Sequence, residues 1–427
     1  MTQSADTVRA NRANRANRAN RANRAHRAHR AHRAHRAIRT IPPRGTLMSL
    51  ASHVPADQLS LSRVHARGLM PFRQRRVDGE MLLTSDFGDH VFVSDEDFVR
   101  MVEGRFDAGD ALWTKLTAAN LLVETLDRKV LTDRLRENMR FANYGPNLHI
   151  FITTLRCNHS CRYCHASRAP MSAVETDMSP ETAERAVDFA FESTSPWLTF
   201  EFQGGEPLAN WPVVEHIIEY SRQKNALANK SLMFALVTNL SLMTDEKLDY
   251  LIDRKVQICT SLDGPALLHD ENRQWKEGAS HETVLAGIKG INARYVAMGL
   301  DPSLYKVEAL PTVTRGTLAA PEALIDHYIE VGCRSIFLRH LDPFGFAKTA
   351  RKRLGYNMSE FLEFYDRALT HIVALNRSGT DFVERTAAVF LTKILGLAEP
   401  NFLDIRSPCG AGIGQIAYNH DGRMFTC

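Results

Sequence analysis

From Leu148 onward, short apolar runs alternate with stretches in which apolar residues recur every three or four positions. The short runs predict buried β-strands, and the amphipathic stretches between them predict helices. The predicted strands are residues 148–154, 199–202, 232–237, 256–262, 305–313 and 335–339. The predicted helices are residues 180–192, 212–222, 245–253, 282–297, 322–331 and 359–375.

This alternation predicts an α/β fold with a parallel sheet, because parallel neighbours need crossover connections. The six units over residues 147–376 fit a partial (β/α)6 barrel of the TIM type. In such barrels the functional groups lie at the C-terminal ends of the strands, so we expect the chemistry directly after each strand.

A smaller α+β unit is predicted at residues 70–141, with strands at 72–77, 81–84 and 90–93 separated by Gly-containing turns. A helix should follow, with Ser94 as its N-cap and Gly104 as its C-terminal stop. Two interpretations stay open for this unit: a structural cap on the barrel, or a peptide-recognition element.

Residues 1–47 are of low complexity, with an Arg at every third position from Arg9 to Arg39. The segment has no apolar stripe, so we expect it to be disordered. Anion binding or targeting is the functional alternative. The twelve Arg and single acid before Gly45 give this segment a net charge of +11, whereas the net charge of the whole chain is +4. The remainder therefore has a net charge of about −7, which does not indicate a nucleic-acid partner.

The composition is ordinary for a globular protein, with 44% hydrophobic and 24% charged residues. No apolar run approaches the length of a membrane span, so we expect no span and a cytoplasmic protein. Seven cysteines in a chain of this length, without a signal peptide, do not indicate a disulfide scaffold.

Three of these cysteines follow the first barrel strand on one loop, as Cys157-x3-Cys161-x2-Cys164. Thiolates are the usual ligands of iron–sulfur clusters, and three of them would leave one iron of a four-iron cluster open to a substrate. Zinc is the main alternative, with His159 or His165 completing a small site. Free structural thiols are a third.

Later strand ends carry groups suited to an amino acid and a ribose. Gln203-Gly204-Gly205-Glu206-Pro207 follows the second strand and offers backbone carbonyls and a carboxylate to an ammonium group. Thr238 and Asn239 follow the third strand. After the fourth strand, Ser261 can donate a hydrogen bond, Asp263 can accept from hydroxyls, and Arg273 offers a planar fork to a carboxylate. Singly, each is a turn residue or a surface ion pair by default.

Together, the Cys-x3-Cys-x2-Cys and Gly-Gly-Glu-Pro motifs resemble the radical SAM superfamily over residues 147–340. The resemblance implies a 4Fe–4S cluster and S-adenosylmethionine (SAM) as cofactors, with Cys157, Cys161 and Cys164 holding three irons and SAM chelating the fourth. It also implies roles in SAM binding. Those residues are Gly205 and Glu206 for the amine, Ser261 and Arg273 for the carboxylate, and Tyr163 and Leu310 beside the adenine.

Residues 377–427 are predicted to be a linker helix and a truncated SPASM or twitch-like segment. Cys409, Gly422 and Cys427 resemble the opening of the SPASM module of peptide-modifying radical SAM enzymes, and the likeness implies an auxiliary iron–sulfur cluster at Cys409 and Cys427. Further ligand cysteines do not follow in this sequence. Cys259 and Cys333 are expected to be core residues.

Residues 84–89 and 155–164 resemble segments of the His-Xaa-Ser system radical SAM maturases. That family is related to the anaerobic sulfatase-maturating enzymes. The likeness implies a ribosomally made peptide with His-Xaa-Ser repeats as substrate, a flavodoxin or ferredoxin as electron donor, and a partner maturase. Three alternatives remain: oxidation of a sulfatase-like protein, an iron–sulfur electron carrier or redox sensor, and a zinc-stabilised peptide-binding protein.

Overall fold

The computed structural model describes residues 68–166, 168–301, 305–396 and 409–426. The chain divides into two compact units, one of residues 1–141 with 390–400 and one of residues 142–389 with 401–427. The Arg-rich segment 1–47 and Cys427 lie outside the described residues.

The first unit begins with an antiparallel meander of β1 (Phe72–Val77), β2 (Glu80–Ser85) and β3 (His90–Val93). The helices α1 (Asp95–Glu103), α2 (Ala111–Ala118) and α3 (Arg128–Asn138) follow. Ser94 Oγ accepts from the Asp97 amide, and Gly104 ends α1 in a left-handed conformation at φ 69°, as its sequence predicts. The unit has its own buried cluster, which includes Leu69, Met81, Leu83, Val93 and Met101.

The second unit is built on a seven-stranded sheet that alternates with helices along the chain. In chain order its first elements are β4 (Leu148–Thr154), the short β5 (His159–Cys161), α4 (Pro180–Phe191), β6 (Trp197–Gly204), α5 (Trp211–Ala228), β7 (Ser231–Thr238) and α6 (Asp245–Asp253). Next come β8 (Gln257–Ser261), α7 (Ala266–Asn272), β9 (Arg273–Trp275), α8 (Ser280–Ala297), β10 (Glu308–Leu310), α9 (Pro321–Glu330), β11 (Ser335–Ile336) and α10 (Gly345–Leu354). The last are α11 (Met358–Arg377), β12 (Val383–Glu384), β13 (Gln415–Tyr418) and β14 (Met424–Phe425), and α12 (Arg385–Gly396) has residues in both units.

The strand order of this sheet is β10-β8-β7-β6-β4-β13-β14. Every neighbouring pair is parallel except β13 with β14. This is the predicted α/β fold of a partial barrel, and its first four parallel strands include residues 148–154, 199–202, 232–237 and most of 256–262.

Two of the predicted strands differ from the observed ones. Residues 305–313 contribute only Glu308–Leu310, and the expected sixth barrel strand at 335–339 pairs in a separate two-stranded sheet with β12. That ladder stops after Ile336, because the Leu338 amide donates to the carboxylate of Glu384 at 3.1 Å rather than to a neighbouring strand. An isolated bridge between Thr312 and Arg339 links this stretch to the region after β10.

The sixth parallel strand of the main sheet is β13, from the segment predicted to be a partial SPASM module. It pairs with β4 in the register Gln415 with Leu148 through Tyr418 with Phe151. The hydroxyl of Tyr418 lies 2.9 Å from Nδ1 of His149, and both side chains are buried. The barrel sheet therefore extends past its first strand with residues from the C-terminal region.

Apolar side chains from the sheet and its outer helices form one large core, in which Phe151, Phe200, Phe202 and Ile217 are fully buried. Among the described residues, no helix has the length and apolar character needed to cross a membrane.

Candidate active site at the strand ends

The cysteine loop begins where β4 ends. Three residues of this loop form β5, which pairs antiparallel with β9 so that Cys161 lies opposite Arg273. The Cys157 amide donates to Ala169 O at 3.1 Å, and the Arg162 amide donates to Asn272 O at 2.9 Å. Backbone hydrogen bonds thus fix the loop against the segment that carries Arg273.

The three thiols are partly buried. Burial, and to a smaller extent the charge of nearby Glu206, raise the pKa of Cys157 to about 12. Burial also raises the pKa of Cys161 to about 11, although the Arg273 guanidinium opposes that shift. Within the described ranges, no three His, Cys, Asp or Glu side chains are already grouped around one ion-sized position.

The glycines after β6 bring its end close to the cysteine loop. The Gly205 amide donates to Thr154 O at 2.8 Å, and the Glu206 amide donates to Arg156 O at 2.7 Å. A Cβ on Gly205 would overlap with Arg156 O and reach Leu155 O at 2.5 Å. Glycine is needed here because the two backbones approach too closely for a side chain.

Glu206 is buried, with 1% of its surface exposed, and its carboxylate joins the ends of β6 and β7. Oε1 accepts from Thr238 Oγ1 at 2.7 Å and from the Leu208 amide at 3.1 Å, while Oε2 accepts from the Asn239 amide at 2.8 Å. Burial raises the pKa of Glu206, and these hydrogen bonds oppose the rise.

Asp263, Tyr163 and Arg273 form a second buried group beside the cysteines. Tyr163 donates its hydroxyl to Asp263 at 2.6 Å, and Thr312 donates its amide to the other oxygen of Asp263 at 3.1 Å. The predicted hydroxyl partner of Asp263 is therefore Tyr163. The ring of Tyr163 is 4% exposed and packs with Ala347 of α10.

Arg273 is buried, contrary to the default interpretation of a lone Arg as a surface residue. Its side chain is 12% exposed and its Nε lies 3.4 Å from Asp263. Its guanidinium lies 5.4 Å from the centre of the Tyr163 ring, and Nη1 is 3.8 Å from Cys161 Sγ. Nε has no hydrogen-bond partner of acceptable geometry among the described residues.

His159, a candidate ligand in the zinc alternative, opens β5 and is 1% exposed. Its Nε2 lies 3.0 Å from Ser280 Oγ and its Nδ1 lies 2.9 Å from Asn239 Nδ2, and its ring stacks on Trp275. To bind zinc, a ring nitrogen of His159 would have to give up its contact with Ser280 or Asn239. His165, the other zinc candidate, is exposed.

Ser261 and Leu310 are neighbours at the ends of β8 and β10, where they are register partners. The structure thus places Gly205, Glu206, Ser261, Arg273 and Leu310 at the strand ends or in the connections that follow. Cys409 is exposed, and its predicted partner in an auxiliary cluster, Cys427, lies outside the described residues.

Sequence reasoning missed the contact of α10 with the cysteine loop. The Phe346 amide donates to Cys164 O at 2.8 Å, and Gly345 adopts a left-handed φ of 54° against the same backbone. The signal available in the sequence was the Gly between Phe344 and Phe346, directly before a run of basic residues.

A model of the radical SAM superfamily matches residues 151–297 of this chain. A cysteine-type anaerobic sulfatase-maturating enzyme of Clostridium perfringens (strain 13, type A) is 31% identical over 281 residues, which are 64% of this chain and 71% of the relative. The radical SAM cyclopropyl synthase TigE of Paramaledivibacter caminithermalis is 21% identical over 230 residues. That match covers 51% of this chain and 46% of TigE.

Among solved structures, native anSMEcpe with bound AdoMet is similar at a TM-score of 0.55 and 20% identity, covering 66% of this chain and 74% of that one. This likeness concerns the fold. It agrees with the parallel sheet and outer helices described above.

Proposed function

The chain belongs to the radical SAM superfamily, and on that premise we propose that it cleaves SAM reductively at a 4Fe–4S cluster to modify a ribosomally made peptide. The observation that carries the proposal is the loop of Cys157, Cys161 and Cys164 at the C-terminal end of β4, with Arg273 paired opposite Cys161.

The donor groups on this loop fit such a cluster. Thiolates are its usual protein ligands, and three of them leave one iron open for the amine and carboxylate of SAM. When bound, the cluster supplies the electron that breaks the sulfonium bond of SAM and so generates an adenosyl radical.

The surrounding residues have groups suited to SAM. Among the described residues, the buried Nε of Arg273 has only the long 3.4 Å contact with Asp263, and a guanidinium fork suits a carboxylate, so we assign Arg273 and Ser261 to the SAM carboxylate. We assign Gly205 and Glu206 to the amine. Leu310 and the ring of Tyr163 are proposed to border the adenine.

A reactive radical requires a site from which water is excluded. The glycine turn and the buried core around it favour such exclusion. Glu206 and Asp263 are 1% and 0% exposed, and both are held by hydrogen bonds from neighbouring strand ends. These contacts fix the strand ends that would surround the substrate.

For the substrate, we propose a peptide with His-Xaa-Ser repeats. The named relatives include sulfatase-maturating enzymes and a cyclopropyl synthase, and one solved structure of anSMEcpe holds a peptide with AdoMet. A second candidate, oxidation of a Cys or Ser in a sulfatase-like protein, is favoured by the 31% identity to the Clostridium relative.

The proposal includes further components. Reduction of the cluster needs a donor of low potential, about −400 mV or below, for which we propose a flavodoxin or ferredoxin. We also propose a partner maturase acting on the same peptide.

The test is anaerobic reconstitution, analysis of iron and sulfide, and measurement of 5′-deoxyadenosine released from SAM under dithionite. Cys161→Ala should lose the cluster and the product, whereas Cys259→Ala, at a half-buried thiol on β8, should keep both. Zinc without iron would contradict the enzyme, and a cluster that never consumes SAM would favour an electron carrier. Peptides with His-Xaa-Ser repeats and sulfatase-type Cys peptides, compared by mass spectrometry, distinguish the two substrate classes.

We propose that residues 70–141 recognise the peptide by strand addition. Among the described residues, β1 and β3 each pair only with β2, so both outer edges of the meander are open to another strand. Phe92 on β3 is 41% exposed. Phe92→Ala should weaken peptide binding to the full chain, measured by fluorescence anisotropy, whereas Val99→Ala on α1 should not. Equal peptide affinities for the two variants would favour the interpretation of this unit as a structural cap.

A further inference from the structure

Helix α10 rests directly on the backbone of the cysteine loop. The Phe346 amide donates to Cys164 O at 2.8 Å, and a Cβ on Gly345 would lie 2.5 Å from His165 O and closer still to Cys164 O. The buried side of α10, at Ala347 and Leu354, packs around Tyr163. These contacts join α10 directly to the backbone of Cys164, the third cysteine.

The outer side of α10 is basic. Lys348, Arg351, Lys352 and Arg353 are all exposed, and none of them forms an ion pair with any residue that the structure describes. Many other basic side chains of the second unit are paired, as Arg162 is with Glu271 and Arg294 with Asp245.

Two exposed aromatic residues lie at the N-terminal end of the same helix, Phe344 as its N-cap and Phe346 in its first turn. Phe344 is 65% exposed and Phe346 is 38% exposed. We call the set of Phe344, Phe346, Lys348, Arg351 and Lys352 the α10 face. Exposed aromatic and Arg side chains are enriched in protein-binding surfaces, and the Lys charges add to the positive field that would attract an acidic surface.

Helix stability explains only part of this face. Arg351, Lys352 and Arg353 are in the last turn, where positive charge is favoured by the helix dipole. Lys348 is outside that turn, and the dipole gives no reason for two phenylalanines to face water.

We propose that the α10 face is the docking surface for the electron donor, an acidic, low-potential one-electron carrier protein. The inference rests on the proposed SAM cleavage and adds the place where reducing equivalents enter. Charge complementarity selects an acidic partner, and the contact with Cys164 brings that partner to the loop of the cluster.

A peptide substrate fits this face less well. The hydrogen to be abstracted must reach the strand ends inside the barrel, where Ser261 and Leu310 lie, whereas the side chains of the α10 face are exposed on the surface. The carrier gives up one electron per SAM cleaved, and no bond forms between the two proteins.

The test compares two reductants on the reconstituted full chain. Lys348→Glu/Lys352→Glu should raise the KM for reduced flavodoxin about tenfold in 5′-deoxyadenosine formation, while dithionite-driven formation stays unchanged. Surface plasmon resonance should show the same loss of flavodoxin affinity, and the wild-type affinity should fall as salt is raised from 50 to 300 mM. Lys348→Gln/Lys352→Gln should give an intermediate loss.

Arg222→Glu/Lys289→Glu is the matched control, because both residues are exposed on the outer helices α5 and α8 and the change in charge is identical. An unchanged flavodoxin KM and affinity in the α10 variant would overturn the docking proposal. So would a rise in the KM for peptide under dithionite without change in flavodoxin binding, which would assign the face to the substrate. Absence of dithionite-driven product in the wild type would instead overturn the proposed function.

Discussion

Arg273 shows how a residue with no local signal acquires a special environment. Its guanidinium lies between Asp263, which precedes it by ten residues, and the Tyr163 ring and Cys161, which come from a distant part of the chain. The sequence supplies the type of group, but the burial follows from the pairing of two three-residue strands, β5 and β9. Strands this short have no detectable periodicity, which is why the position of Arg273 was not predictable from the residues alone.

Arg273→Ala is expected to keep the cluster and raise the Kd for SAM by 10- to 100-fold, since a charged hydrogen bond contributes about 1.5–3 kcal/mol. Iron content and equilibrium dialysis with SAM measure the two quantities. Arg162→Ala removes a half-buried guanidinium, paired with Glu271, from the same loop and should leave both unchanged. A SAM affinity that survives Arg273→Ala would refute the carboxylate assignment.

His149 is a buried histidine whose ionisation should affect stability. Burial lowers its pKa to about 4, against 6.5 for the ordinary group. Between these values the unfolded chain binds a proton at this position and the folded chain does not. Stability therefore rises with pH across this range and is lost as the pH falls from about 6.5 towards 4.

His149→Gln should reduce the slope of unfolding free energy against pH by about 1 kcal/mol per pH unit near pH 5. Urea unfolding followed by circular dichroism at pH 5 and pH 6 measures it. Tyr418→Phe is the matched comparison, because it removes the partner hydroxyl and keeps the imidazole. That variant should lose about 1 kcal/mol with little change in slope. Equal slopes in wild type and His149→Gln would contradict the assignment.

At the scale of elements, helices were more predictable than strand ends. α6 has the predicted bounds, and its N-cap Thr244 accepts from the Lys247 amide, a signal contained within four residues. The strand at 335–339 failed because its length depends on partners, and the carboxylate of Glu384 takes the Leu338 amide that would continue the ladder. Local signals place helices, whereas strand bounds depend on distant residues.

The contact of α10 with the cysteine loop leads to a prediction about Gly345. Gly345→Ala should lower the iron bound per chain, because a methyl group there collides with the backbone of Cys164 and His165. Gly332→Ala is the control, since that residue also has a positive φ, of 86°, but nothing lies within 4 Å of its would-be Cβ. Gly332→Ala should lose about 1–2 kcal/mol of stability from its backbone conformation, Gly345→Ala should lose more because of the collision, and only Gly345→Ala should lose iron. Equal iron content would mean that α10 does not support the loop.

At the scale of the whole chain, the fold class and the strand-end position of the candidate site were predictable. Strand–helix alternation and the cysteine spacing are signals that each lie within a short stretch of sequence. The addition of β13 to β4 was not. Its four residues have no pattern that indicates a partner, and the contact between His149 and Tyr418 spans 269 positions. The same holds for the closeness of α10 to Cys164.

Deletion of residues 409–427 should expose the edge of β4. The Leu148 amide, which donates to Gly414 O at 3.0 Å, should lose its protection in hydrogen exchange read by mass spectrometry. Amides in β1–β3 should keep theirs, because that sheet has its own core. A shorter deletion of residues 422–427 removes β14 and spares β13, so it should leave the β4 amides protected. Equal exchange in β4 with and without β13 would contradict this pairing.

The pairing of β4 with β13 also sets an order of events during synthesis. The first strand of the barrel leaves the ribosome long before residues 415–418 exist, so one side of it stays unpaired while the intervening elements fold. Closing so long a loop is entropically costly and slow, and an open strand edge invites association with other chains meanwhile. Expression at reduced temperature or with added chaperone should therefore raise the yield of native protein more than any change within β13 itself.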